Sequence, residues 1–184
     1  MKQARIKMFF VACMVVMMGI LPVASFAATA GEIDASVNAS LERFVKEVKG
    51  AQEFLNAAKG VLIIPGVIQG GLIVGGEYGE GALRVGGKTV GYYNLASASL
   101  GYQIGGEKKD IILVFMNQKV LKKFRTSENW QAGVDAKVTL IKVGVDDSLS
   151  TMKFKQPVVG FVFGQKGLMA GVTIEGSKFT KMKM

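Results

Sequence analysis

The chain has 184 residues, with 23 basic and 14 acidic side chains, no histidine and one cysteine, for a formal net charge of +9. Without histidine, and with Cys13 inside the leader described next, zinc sites, Cys–His pairs and Ser–His–Asp triads are excluded. Acid–base work is left to carboxylates, lysines, hydroxyls and tyrosines.

Lys2, Arg5 and Lys7 make a positive start, and Met8 to Leu21 is an unbroken apolar run. Pro22 breaks that run, and Ser25-Phe26-Ala27 puts small residues where a signal peptidase reads. The apolar run is about 14 residues, short of the ~20 that a spanning helix needs. Residues 1–27 read as a cleavable secretory signal and 28–184 as a single domain, exported to the periplasm or beyond. An uncleaved anchor, and a cut after Ala28-Thr29-Ala30, are the alternatives. Cys13 has Met14 to Ile20 still apolar beyond it, so it does not fit a lipoprotein signal. Loss of the leader removes three basic residues and leaves 157 residues at +6. That length buries roughly 70% of the unfolded surface without metal or disulfide. The charge favours acidic partners such as anionic headgroups, although plain solubility explains it equally.

From Gly31 the pattern is helical: Ile33, Val37, Leu41, Phe44, Val45 and Val48 recur at three- and four-residue steps. Asp34 or Ser36 is placed to cap this helix. Gly50 interrupts it, a shorter helix spans about Ala51 to Ala58, and Gly60 is placed to end that one in a left-handed conformation. Strands follow near 61–64, 71–78, 81–85, 88–94, 98–105, 109–116, 132–143, 151–155, 158–163 and 168–175. Gly86-Gly87 and Gly105-Gly106 suit tight hairpins. Val61 to Ile64, Ile111 to Met116 and Val158 to Phe163 are apolar on both faces, so the sheet carries helices or curls on itself. Connections too short for repeated crossover helices favour antiparallel pairing. One helix interrupts the strands at about Gln118 to Arg125. The fold class is α+β: a glycine-punctuated, mainly antiparallel sheet, curled or two-layered, under N-terminal amphipathic helices and one short basic helix.

Little of the sequence looks like reaction chemistry. Ala82-Leu83-Arg84-Val85-Gly86-Gly87-Lys88-Thr89 lacks the first glycine of a P-loop and runs into strand-like Val90-Gly91-Tyr92-Tyr93. Ser150-Thr151-Met152-Lys153 fits Ser-x-x-Lys without its companion motifs. Glu77 and Glu80 are three apart, so on a strand they face opposite sides, in solvent or paired with Arg84. Two features suit binding. Lys119, Lys122, Lys123 and Arg125 ring the small apolar stripe of Val120, Leu121 and Phe124. The tail interleaves Lys178, Lys181 and Lys183 with Phe179, Met182 and Met184. Either set could meet an anionic bilayer; equally, Leu121 and Phe124 could dock on the sheet and the tail could fray.

Five segments resemble the SYLF domain family. They are Ala57-Ala58-Lys59-Gly60-Val61-Leu62-Ile63-Ile64-Pro65, Gly75-Gly76-Glu77-Tyr78-Gly79-Glu80-Gly81, and Ser97-Ala98-Ser99-Leu100-Gly101-Tyr102-Gln103-Ile104-Gly105-Gly106 with Asp110. The closing blocks are Gly133-Val134-Asp135-Ala136 and Lys166-Gly167-Leu168-Met169-Ala170-Gly171-Val172. The chain departs at Thr89 to Asn94, where the family usually has Trp and Pro, and around Ser148 to Lys155. The resemblance implies a lipid-binding module; eukaryotic members bind phosphoinositides and some bind actin. For an exported chain, anionic membrane lipid is the corresponding partner.

The sequence thus leads to an exported, non-catalytic domain, peripheral at an anionic membrane surface. Lys119, Lys122, Lys123 and Arg125 would hold headgroups, and Phe124 would make an apolar contact. No cofactor, metal or nucleic acid is implied. The rival is an envelope structural protein that offers a sheet edge to a protein partner. A third reading, an enzyme with Glu77 or Asp110 as base, needs either carboxylate at the floor of a closed apolar cavity.

Overall fold

The computed structural model describes residues 28–71, 74–100, 107–142, 154–166 and 174–184. The leader, the Gly105-Gly106 hairpin, the Ser-x-x-Lys tetrad and most of the strand expected at 168–175 lie outside the described residues.

Helix α1 (Ala30–Glu47) and helix α2 (Ala51–Ala57) open the domain. They are followed by β1 (Gly60–Gly71), β2 (Val74–Val85), β3 (Lys88–Leu100) and β4 (Glu107–Phe115). Helix α3 (Gln118–Thr126) leads to β5 (Asn129–Gln131), β6 (Val138–Lys142), β7 (Val158–Lys166) and β8 (Lys178–Lys181). Among the described residues the strands form an eight-stranded sheet in the order β5-β8-β3-β2-β1-β4-β7-β6. Each of these pairs is antiparallel except β6 with β7. The α+β class is the one expected.

The sheet cannot be flat. Seven interstrand spacings would hold β5 and β6 about 34 Å apart. Gln131 and Val138 are seven residues apart, a reach of at most about 25 Å, and Asp135 N donates to Gln131 O at 2.9 Å within that link. The sheet curls, so that Trp130 of β5 and Val138 of β6, from opposite edges, enter the same apolar cluster.

Alternation along β1 and β4 supplies both cores. Val61, Ile63, Ile112 and Val114 face α1 and α2, whereas Leu62, Ile64, Ile111, Leu113 and Phe115 face the inside of the curl under α3. Helix α1 lies across the sheet, burying Ile33, Val37, Ser40 and Phe44 at helical spacing. Its Asp34 accepts from Thr89 and Tyr92 of β3 (2.8 and 2.9 Å), and its Asn38 accepts from Arg84 of β2 (2.6 Å). Phe44 meets Phe161 of β7 with ring centroids 4.9 Å apart. Val45, expected on the apolar stripe, is largely exposed. The N-cap is Thr29 rather than Asp34 or Ser36: its hydroxyl accepts from Glu32 N, and Glu32 Oε2 accepts from Thr29 N at 2.8 Å.

Several expected strand breaks are absent, and the reason is a bulge. Register with both neighbours shifts by one residue at Pro65-Gly66, where Gly66 has φ of 61°. The bulged backbone presses on β2, and Gly79 and Gly81 provide the room, so these glycines sit within one long strand rather than at a turn. A Cβ on Gly79 would stand 2.8 Å from Ile64 Cγ2. Gly60 is likewise not a left-handed cap. It opens β1, where a Cβ would meet a Leu121 methyl at 2.8 Å. Gly86-Gly87 does form the tight hairpin, at φ of 57° and 79°.

Asp110 fastens α1 to this bulge. Its Oδ2 accepts from Ser40 Oγ at 2.8 Å and from Arg43, and its Oδ1 accepts from Gly66 N at 2.8 Å. Asp110→Ala strands the buried Ser40 hydroxyl and the Gly66 amide together. A loss of about 1–3 kcal/mol is expected from urea unfolding, whereas a change within error would deny the clasp any role in stability.

Candidate functional site

Helix α3 begins at Asn117, whose Oδ1 accepts from Lys119 N (2.8 Å) and Val120 N (3.3 Å). Leu121 and Phe124 are fully buried, and Lys119, Lys122, Lys123 and Arg125 are exposed. Lys123 and Arg125 also stand in the last turn, where positive charge complements the helix dipole.

Phe124 is not a surface residue. Its ring packs against Phe115 (4.8 Å), Tyr93 (4.7 Å) and Trp130 (5.3 Å), so the apolar contact expected of it is taken up by the core. Its burial holds the helix at a fixed height above the sheet. Lys123 is engaged too, with Nζ 3.0 Å from Asp135 Oδ1 and 3.2 Å from Asp135 O. A hydrogen bond from Gln131 N, then that lysine, hold the Asp135 carboxyl below the usual carboxylate range.

The remaining cations converge with a residue from the tail. Lys122 and Arg125 line a cleft of about 400 Å³ together with Lys181, Tyr93, Gln118, Thr126 and Val90. Tyr93 and Lys181 are direct cross-strand partners, so β8 sets the lysine beside the phenol. Gly91 precedes them on the same face, and a Cβ there would approach the Tyr93 ring at 3.3 Å. Val90 is the extra residue of a β-bulge, since Leu83 pairs with Gly91 and Arg84 with Thr89. It is 39% exposed, an apolar side chain at the cleft rim. Burial pushes the Tyr93 hydroxyl above its ordinary pKa, and Arg125 partly offsets this. Among the described residues, no carboxylate lines the cleft.

The two basic features of the sequence therefore meet at one cleft, through Lys122, Arg125 and Lys181. Residues 178–181 form an inner strand, and Lys181 reaches α3. Lys119 stays exposed on α3 but does not line the cleft. Tyr93, Gln118, Thr126 and Val90 carried no binding signal of their own; the alternation of Lys178 to Lys183 was the one available hint.

The carboxylates considered as bases have structural partners. Glu77 is buried rather than in solvent: its Oε1 accepts from the fully buried Lys109 Nζ at 2.7 Å, and Lys109 also donates to Gln69 Oε1 at 2.9 Å. Asp110 is held by Ser40, Arg43 and Gly66 as above. Glu80 accepts from the Tyr78 hydroxyl and the Ala28 amide.

The model of the Ysc84 family, described as Las17-binding protein actin regulator, matches residues 96–183. That match agrees with the resemblance to the SYLF family carried by the segments at 97–106, 133–136 and 166–172. The match takes in β8 and the whole of α3, hence every residue of the cleft except Val90 and Tyr93. The resembling segments at 57–65 and 75–81 precede it. The family is one of lipid- or actin-related binding domains. No curated protein matches the chain.

Proposed function

We propose that the protein is an exported, non-catalytic SYLF domain that binds peripherally to anionic membrane lipid through the α3–β8 cleft. The observation that carries this reading is the convergence of Lys122, Arg125 and Lys181 on one hollow with no carboxylate among its described lining residues. A cation near an anionic bilayer contributes about 1 kcal/mol, so three act together with useful strength. Val90, exposed at the rim, supplies the apolar contact first sought in Phe124. Lys119 adds a more distant charge on the same helix. The leader reading supports lipid over an actin-related partner, because an exported domain does not meet actin.

A protein partner on a sheet edge weighs less. The outermost described strands have only three and five residues, β5 and β6, and short edges offer few backbone groups for augmentation. An acid–base role also weighs less, because Glu77 and Asp110 are occupied by buried partners.

Co-sedimentation of the purified domain with phosphatidylcholine vesicles, with and without phosphatidylglycerol, tests the proposal. Binding should require the anionic lipid and fall with salt. Lys122→Ala, Arg125→Ala and Lys181→Ala should each weaken it about fivefold, the equivalent of ~1 kcal/mol. Lys123→Ala should weaken it less, since that lysine is engaged by Asp135. Equal pelleting on neutral vesicles would remove the electrostatic account.

A further inference from the structure

Ala28 is held at two places. Its side chain packs against the apolar layer between α1 and the sheet, and its backbone nitrogen donates to Glu80 Oε2 at 3.1 Å. Glu80 is prepared for a donor there. Its other oxygen, Oε1, accepts from the Tyr78 hydroxyl at 2.6 Å. Burial first, and then this carboxylate, push Tyr78 up to about 12, so the phenol stays protonated and keeps its end of Glu80 fixed. One residue later Thr29 begins the capping box that starts α1.

This arrangement bears on which of the two small-residue cuts is used. A cut after Ala30 would remove the cap, the first helical residue and the Glu80 contact. A cut after Ala27 keeps all three and changes the chemistry of the Ala28 nitrogen.

We propose that the Ala27–Ala28 bond is the processing site and that Glu80 is the receptor for the amino terminus released there. Peptidase-catalysed hydrolysis breaks the Ala27 C–N bond. Water supplies the oxygen that makes the Ala27 carboxylate, and both of its protons end on the Ala28 nitrogen, which is mainly an ammonium at neutral pH. A neutral amide donor 3.1 Å from a carboxylate thereby becomes a charged one at the same place. The hydrogen bond, already charge-assisted on the Glu80 side, becomes an ion pair with charge on both partners. Processing thus tightens the start of α1 against β2. The proposal rests on the export part of the function above and is independent of lipid.

Two measurements test it, neither of which involves lipid. Intact mass and amino-terminal sequencing of protein exported from cells making residues 1–184 should give Ala28 as the first residue. A start at Gly31, at any other residue, or a retained leader overturns the assignment. The receptor is tested by Glu80→Gln in the processed protein and in the same chain acetylated at Ala28. The substitution should lower Tm by about 2–4 °C more with the free amine than with the acetylated one. Equal shifts in the two would overturn the ion pair, whichever residue begins the chain.

Discussion

Gly81→Ala should prevent the domain from folding. A Cβ on this residue would lie 1.9 Å from the carbonyl oxygen of Ile63 and 2.8 Å from the Ile64 Cα. Both are backbone atoms of β1, and β1 is pinned on its other side by its ladder with β4. No rotamer change relieves such a contact; the two central strands would have to part. Their separation would also undo the bulge at Gly66 and with it the Asp110 clasp. The expected cost exceeds about 4–5 kcal/mol, a large share of the ~5–15 kcal/mol that holds a domain of this kind together. Gly70→Ala, in the same β1–β2 ladder, is the control: among the described residues a Cβ there meets nothing within 4 Å, and the change should stay within about 0.5 kcal/mol. Circular dichroism and urea unfolding of the pair decide the matter. A Gly81→Ala protein that melts within a few degrees of the parent would mean that β1 and β2 do not approach as described.

The second large effect is expected at Lys109. This lysine is fully buried inside the curl, between Glu77 of β2 and Gln69 of β1, and the other oxygen of Glu77 has no hydrogen-bond partner among the described residues. Two charges taken out of water gain little net stability from each other, but either one left alone is costly. Lys109→Met and Glu77→Leu should each destabilise by about 3–5 kcal/mol. Combined, they should cost far less than the sum, because the double variant buries no orphaned charge. A double-mutant cycle by urea unfolding reads this directly. Additive losses would show that each residue acts through separate packing rather than through the pair.

Much of the fold could be read from local pattern. The apolar positions of α1 and α3, the double-sided strands at 61–64, 111–116 and 158–163, and the Gly86-Gly87 hairpin all follow from spacing alone, and the structure has them. What spacing misses is long-range. Gly79 falls in an expected break between strands, yet it and Gly81 lie within one strand where β1 crowds them. Lys109 lies between Lys108 and Asp110, a solvated run by appearance. Its burial depends on Glu77 being drawn alongside through two ladders. Phe124 was legible as part of an apolar stripe, but the choice between bilayer and core is made by Tyr93, Phe115 and Trp130, which arrive from three different strands. The candidate site is a similar case. The basic residues of α3 and of the tail were each visible, and only the insertion of β8 beside β3 makes them neighbours.

That insertion also governs when the architecture can be completed during synthesis. β8 is the last of the eight described strands along the chain but occupies an interior slot, bridging β5 to β3. Until residues 178–181 leave the ribosome, β5 lacks its described partner and Trp130 lacks the Phe179 ring at 5.7 Å. Assembly is therefore complete only after that segment has emerged, and a stop codon ahead of Lys178 would yield a chain with an unsealed hydrophobic interior, a ready target for proteases.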